Sequence, residues 1–337
     1  VSFSVFGLNV GMFGPPLDGA KCFRDETRAK AILPRLQGDV ACLSEVWTQK
    51  RAEWFAERLA PRGYHHVLCS PFGPGVPRVI EILREKSHDQ SFPLYKRRLA
   101  AIAASHIEKN PLAAVKKLVA ADRSVRGTDA TPFFEGIAVN VLEEMLGDEL
   151  IFGAGLMILS KFPFQETGTL FYDGACQVGI ERHSRRALAF VRVEPATGCP
   201  VNIMTTHLPE GDSKESKEAR KEPLRRIGEK ISQFEEPAIL IGDLNVVGGS
   251  EEYYAMLKLL GMFDPEKKNP HTYLARNFMA KILRLKKGLG VDARLDYALH
   301  TRDSRLKALR PVLIDAPLRR GATDHKAILG RYQIRRT

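Results

Sequence analysis

At 337 residues and 44% hydrophobic content, the chain is long enough for one large layered domain or two average ones, and no apolar run approaches the roughly 18–20 residues that cross a bilayer as a helix. Lysine and arginine outnumber aspartate and glutamate by 51 to 40, and the net charge of +11 biases the chain toward a polyanion or an anionic surface without naming one. The five cysteines, Cys22, Cys42, Cys69, Cys176 and Cys199, carry no CxxC pair, which disfavours zinc and a full disulfide framework, though an exported chain could still form one bridge.

Ser2 to Val10 alternates and is rich in Val and Phe, so it reads as a strand, with Asn9 at its end. Thr27 to Leu36 reads as a helix, Asp39 to Leu43 as a short buried strand running into Ser44 and Glu45, and Thr48 to Leu59 as a second helix by its apolar spacing. This early alternation argues for helices layered on a sheet. From 77 to 150 the pattern is helical and basic, with examples at Ile80 to Glu85, Tyr95 to Lys109 and Pro111 to Ala121, and it reads as an insertion on the rim of the main fold. Strands resume at Gly155 to Ser160, Arg186 to Val193 and Val201 to Thr206. A helix follows over Glu218 to Phe234, with Pro223 a candidate bend. Ala238 to Gly242 reads as a buried strand, Glu252 to Leu260 as a helix, and Arg294 to His300 and Ala327 to Tyr332 as closing strands. No repeat or low-complexity linker divides the chain, so 1–337 reads as one catalytic domain carrying the 77–150 insertion, expected as a monomer.

Polar residues recur where apolar strands end or begin: Asn9, Glu45, His207, Asp243, Asn245, Asp296, Asp324 and His325. A lone carboxylate at a strand end is usually a turn residue or a helix cap, and a lone histidine is usually structural. Their joint occurrence is more specific, because strand ends on one edge of a sheet converge on one mouth. Hard oxygen ligands such as Glu45 suit magnesium, manganese or calcium. Histidines and an aspartate supply proton transfer, and Asn and His donors can stabilise charge on a five-coordinate phosphorus.

The order Asn9, Glu45, Thr206-His207-Leu208, Gly242-Asp243-Leu244-Asn245, Leu295-Asp296-Tyr297 and Thr323-Asp324-His325 resembles the endonuclease/exonuclease/phosphatase superfamily. The resemblance covers nearly the whole chain except the insertion. It implies a two-sheet α/β sandwich of the deoxyribonuclease I-like type and hydrolysis of a phosphoester with one or two divalent cations. Within the superfamily the chain is similar to bacterial neutral sphingomyelinases, through GLMILSKFP at Gly155 to Pro163, FYDGAC at Phe171 to Cys176, EYYAML at Glu252 to Leu257, His271-Thr272-Tyr273, and LSEVW around Glu45. It departs from that branch at Ser184-Arg185-Arg186, where Asn-Lys-Gly is usual, at Leu244, where an aromatic is common, and in its insertion.

The roles implied by resemblance and chemistry together place Glu45 as principal metal ligand, with Asn9 and Asp324 in the metal shell. Asp243 and His325 are candidates for activating water, and Asp296 would hold the His325 ring. Asn245 and His207 would contact the phosphate, and His207 could protonate the leaving oxygen. The expected cofactor is Mg2+, or Mn2+ or Ca2+. The expected substrate is a phospholipid or sphingolipid headgroup ester at a membrane surface, with a nuclease on the same fold as the alternative and a catalytically silent membrane scaffold as a further rival. Asn277 to Leu289 aligns Phe278, Ile282, Leu285 and Leu289 on one helical face beside Lys281, Arg284, Lys286 and Lys287, the pattern either of a helix that contacts anionic lipid or of an ordinary surface helix packed on the core. The sequence leaves the location open, with a secreted or peripheral membrane one favoured over a cytoplasmic one.

Overall fold

The structure is a computed structural model that describes residues 1–11, 25–73, 75–106, 152–172, 183–266, 268, 270–275, 291–315 and 322–335. In chain order the strands and α-helices are β1 (Ser2–Asn9), α1 (Asp25–Ile32), β2 (Val40–Ser44), α2 (Gln49–Leu59), β3 (His66–Cys69), α3 (Gly75–His88), α4 (Leu94–His106), β4 (Met157–Ser160), β5 (Phe164–Phe171), β6 (Ala187–Ala196), β7 (Cys199–Thr206), α5 (Lys214–Ser232), β8 (Ala238–Asp243), α6 (Glu251–Leu260), β9 (Met262–Phe263), β10 (Asp296–Thr301), β11 (Leu306–Ile314) and β12 (Ala327–Ile334). They form two six-stranded mixed sheets, β11-β12-β1-β2-β4-β3 and β5-β6-β7-β8-β10-β9.

The central strands of each sheet are buried on both faces, which is why they read as nearly unbroken apolar runs. Val5, Val40, Cys42 and Ile158 of the first sheet meet Ala189, Ile203, Ile239 and Ile241 of the second in the shared interior. A Cβ on Gly7 would lie 2.6 Å from Ile241 Cγ1, so the sheets approach closely there. The alternate residues Phe6 and Leu8 face outward under Ile32, Phe55 and Leu59 of the first helical layer. On the other side Met204, Leu240 and Tyr297 lie under Leu224, Ile227 and Met256 of α5 and α6. Thr48, Ser213 and Ser250 each accept a backbone N–H as N-caps, which sets where α2, α5 and α6 begin.

The expected two-sheet sandwich with outer helices is what forms, and several bounds shift. The helix expected over Thr27 to Leu36 is α1 followed by a 3-10 turn at Leu33–Arg35. Helix α5 starts earlier, at Lys214, and runs on through the buried Pro223. Strands β3, β5, β9 and β11 were not expected. The insertion is described only as α3 and α4, which bury Val79, Leu83, Leu99 and Ala103 against each other. The helical pattern at Pro111 to Ala121 and the basic stretch Asn277 to Leu289 lie outside the described residues. Cys42, Cys69 and Cys199 are free thiols, and Cys22 and Cys176 fall outside the described residues. Among the described residues no helix is long and apolar enough to cross a membrane.

Candidate active site

Strand direction gathers the site. β1 and β2 run parallel, as do β7 and β8, so Asn9, Glu45, His207 and Asp243 all leave their strands at one edge of the sandwich. β10 and β12 run antiparallel to β8 and β1, so Asp296 and His325 reach the same edge from the start of their strands. In the ladder Asp296 stands opposite Asp243, which also bridges His207.

Asp243 is the hub. Its Oδ1 accepts the Asn245 N–H at 3.0 Å and its Oδ2 accepts Asn9 Nδ2 at 3.1 Å. The same Oδ2 lies 3.6 Å from His207 Nε2 and 3.6 Å from His325 Nε2, so one carboxylate sits between two imidazoles. The far nitrogen of His325, Nδ1, is 2.8 Å from Asp296 Oδ2. Asn9 Nδ2 also donates to Glu45 Oε1 at 3.0 Å, so this amide links Glu45 of its own sheet to Asp243 of the other. Asn245 Nδ2 donates to the Leu208 carbonyl at 2.8 Å, which fixes the amide that was expected to face the phosphate.

Two of these residues hold unusual backbone. Among the described residues, Glu45 (φ 62°) and Asn245 (φ 50°) are the non-glycine residues in the left-handed region. Asparagine tolerates that conformation, but for glutamate it stores strain of about 1–3 kcal/mol, a cost that folds retain mostly at functional positions.

Burial and charge set the protonation pattern. Burial pushes Asp243 up, and the Asp296 charge adds to it, while His325 and the hydrogen bonds from Asn9 and Asn245 oppose; the result is a carboxyl pushed up to about 7. Burial alone would lower His325, but the carboxylates of Asp296 and Asp243 outweigh it and hold the ring well above its ordinary value. His207 is driven well below the ordinary value by burial and then by the charges of Arg186 and His325. Burial also raises Glu45, helped by Asp324 and opposed by the Asn9 hydrogen bond, His325 and Arg186.

The donor set fits a hard divalent cation. Glu45 offers a carboxylate at the mouth with a quarter of its side chain exposed, Asn9 an amide beside it, and Asp324 a further carboxylate close enough to raise Glu45. Beside Glu45, His207 Nδ1 is buried without a hydrogen-bond partner among the described residues, 3.9 Å from Oε1. A second group, Asp243, Asp296 and His325, places its ligand atoms within 4.8 Å of one another, but Asp296 and His325 are already joined by their hydrogen bond.

Every residue expected at the site therefore lies at this mouth. Sequence reasoning missed Thr272, whose buried Oγ1 accepts the N–H of both Leu295 and Asp296 at 3.0 Å, and Tyr273, whose ring centroid is 5.4 Å from that of His325. Their only signal was the His-Thr-Tyr tripeptide. It also missed Arg28, a buried guanidinium that ties the Val10 and Gly11 carbonyls to that of Ala322 and so holds the Asn9 and Asp324 segments together.

The sequence profile of the Endonuclease/Exonuclease/phosphatase family matches residues 7–325. Sphingomyelinase C of Listeria ivanovii is 33% identical over 124 residues, covering 34% of this chain and 36% of that protein, so the match spans about a third of that relative. The crystal structure of sphingomyelinase C from Streptomyces griseocarneus superposes with a TM-score of 0.62 at 19% identity, covering 98% of this chain and 99% of that one. A mutant of beta toxin from Staphylococcus aureus with bound magnesium ions gives a TM-score of 0.62 at 17% identity over 98% and 99%. These two likenesses attest the fold.

Proposed function

The chain belongs to the endonuclease/exonuclease/phosphatase family, and from that premise we propose that it is a divalent-metal-dependent phosphodiesterase that cleaves a phospholipid headgroup ester, in the manner of a sphingomyelinase or phospholipase C. The observation that carries the hydrolytic reading is Asp243 held between His207 and His325, with Asp296 2.8 Å behind His325. The lipid reading is supported by the 33% identity to a sphingomyelinase C.

Glu45, Asn9 and Asp324 would hold the cation, preferably magnesium or manganese, which when bound withdraws charge from a non-bridging phosphate oxygen. The remaining work falls to the chain. Asp243, raised toward neutrality, takes the proton of the attacking water. Asp296 keeps His325 as an imidazolium, able to give a proton but not to take one. His207 is neutral and offers Nδ1, unpartnered among the described residues, to a substrate oxygen. Asn245, fixed by Leu208, presents its remaining amide surface to the phosphate. The basic stretch 277–289 would add anionic-lipid contact, consistent with a secreted or peripheral membrane enzyme.

The test is a substrate panel with and without magnesium: sphingomyelin and glycerophospholipid vesicles beside single- and double-stranded oligonucleotides. Metal-dependent release of a phosphorylated headgroup supports the reading. Cleavage of the oligonucleotides alone replaces it with the nuclease, a reading that the net charge of +11 also suits.

A further inference from the structure

Asp296 and His325 come from different sheets, and one buried residue is bonded to the chain at both. Asp296 opens β10, and His325 stands just before β12. Thr272 is fully buried. Its N–H donates to the Ala293 carbonyl at 2.9 Å, its Oγ1 accepts the N–H groups of Leu295 and Asp296, each at 3.0 Å, and its carbonyl accepts the Lys326 N–H at 2.7 Å. Next along the chain, Tyr273 bridges both Ala293 and His325, and the Leu274 N–H donates to the Asp324 carbonyl at 3.0 Å. The segment is thus stitched to the entry of β10 on one side and to Asp324–Lys326 on the other.

The hydroxyl does here what a neighbouring strand does elsewhere in the sheet. Leu295 and Asp296 are each 4% exposed, so their N–H groups are nearly shut off from water, and a hydroxyl oxygen has two lone pairs, enough for both. Without that acceptor the two amides are buried and unsatisfied, and the chain gains by turning them toward another oxygen. Asp296 is one of the residues that would turn. Its carboxylate meets His325 Nδ1 at 2.8 Å, while the other nitrogen of that ring lies 3.6 Å from Asp243. The Thr272 carbonyl meanwhile holds the residue after His325, so Thr272 fixes both members of the pair relative to each other. Resting on the hydrolytic reading above, we propose that Thr272 is a positioning residue of the reaction: its hydroxyl sets the Asp296 carboxylate against His325, and so the aim of the ring at the reacting phosphate, with no contact to substrate.

The test compares Thr272→Val, which keeps the shape and loses the acceptor, with Thr272→Ser, which keeps the acceptor, on whichever substrate of the panel above the protein cleaves. Thr272→Val should lower kcat by about tenfold to a hundredfold, the order of a displacement of about 1 Å among reacting groups, with KM within about threefold of native. Thr272→Ser should retain most of kcat. In an Asp296→Asn background Thr272→Val should change kcat by less than about threefold, because the contact through which it acts is already gone. Proton NMR of the chelated protein needs no turnover: the His325 Nδ1 proton shared with Asp296 should resonate at low field in the native protein and in Thr272→Ser, and should move upfield or vanish in Thr272→Val. An equal fall in kcat in both backgrounds, an equal loss in Thr272→Ser, or an unmoved proton in Thr272→Val would overturn the proposal, as would a lower melting temperature of Thr272→Val with kcat unchanged. If that variant does not fold, Thr272→Ala takes its place, and failure of both to fold would assign the hydroxyl to the fold alone and overturn the proposal. A native protein that cleaves nothing in the panel overturns the hydrolytic reading; the proton signal still decides whether Thr272 sets the contact between Asp296 and His325.

Discussion

Replacing Asp296 with asparagine removes the charge lent to His325 while keeping the shape. The two residues are 4% and 5% exposed and their side chains meet at 2.8 Å. The Asp296 charge is the largest influence that raises the His325 ring, so the ring should titrate lower without it, with Asp243 at 3.6 Å as its remaining support. Asparagine can also present its amide nitrogen to Nδ1 and so favour the wrong tautomer. The backbone does not depend on the carboxylate, because Asp296 N donates to Thr272 Oγ1 at 3.0 Å and the ladder to β8 continues. Turnover should therefore drop about a hundredfold to ten-thousandfold, the range of an acid–base step, or about 3–5 kcal/mol of barrier, and His325→Ala should behave alike. Two measurements check this: kcat at saturating substrate beside thermal melting, and imidazole NMR titration of the chelated protein. Since the folded His325 binds its proton more tightly than the unfolded one, its stabilising contribution in the chelated protein is full below about pH 6.5 and is lost as pH rises through the folded value; Asp296→Asn should weaken that decline. Turnover within about threefold of the native rate and an unmoved His325 titration would refute the reasoning, and a collapsed melting temperature would show that the pair holds the fold rather than the ring.

Exhaustive chelation should abolish activity and magnesium or manganese restore it, while Glu45→Gln should raise the metal concentration giving half-maximal rate; full activity after chelation would remove the metal from the account. Gly7→Ala drives a methyl to within 2.6 Å of Ile241 between the sheets and should cost about 1–3 kcal/mol, read as a fall in melting temperature, whereas an unchanged transition would mean that the sheets can part there freely. Changing Phe278, Ile282 and Leu285 to Ser should weaken vesicle binding and spare hydrolysis of a soluble short-chain substrate; loss of both with a lower melting temperature would place that face in the core.

Much of the site was legible because its residues interrupt patterns. VACLS and AILIG are buried on both faces, so the polar residues that follow them stand out, and the parallel pairs carry them to one edge. The antiparallel members were legible by motif but not by direction: only the register of Asp296 on Asp243 shows why a residue at the start of β10 meets one at the end of β8. β5 escaped notice because its alternate residues, such as Gln165 and Thr167, face solvent, and β11 because Pro311 sits at an irregularity between Leu309 and Val312. Thr272 and Arg28 act through contacts 24 and 294 residues away, which no local pattern reports. Arg186 was visible only as a departure from a resembled motif. The fold brings it beside Trp47 and His207.

The most direct test of the mechanism is hydrolysis of vesicle phospholipid in 18O-labelled water by the native protein and by Asp243→Asn. Attack of water on phosphorus with Asp243 as base predicts label in the released phosphorylated headgroup, none in the lipid alcohol, and a rate lower by about a hundredfold or more in the variant, with melting unchanged. Label in the lipid alcohol, or a near-native rate in Asp243→Asn, would contradict it.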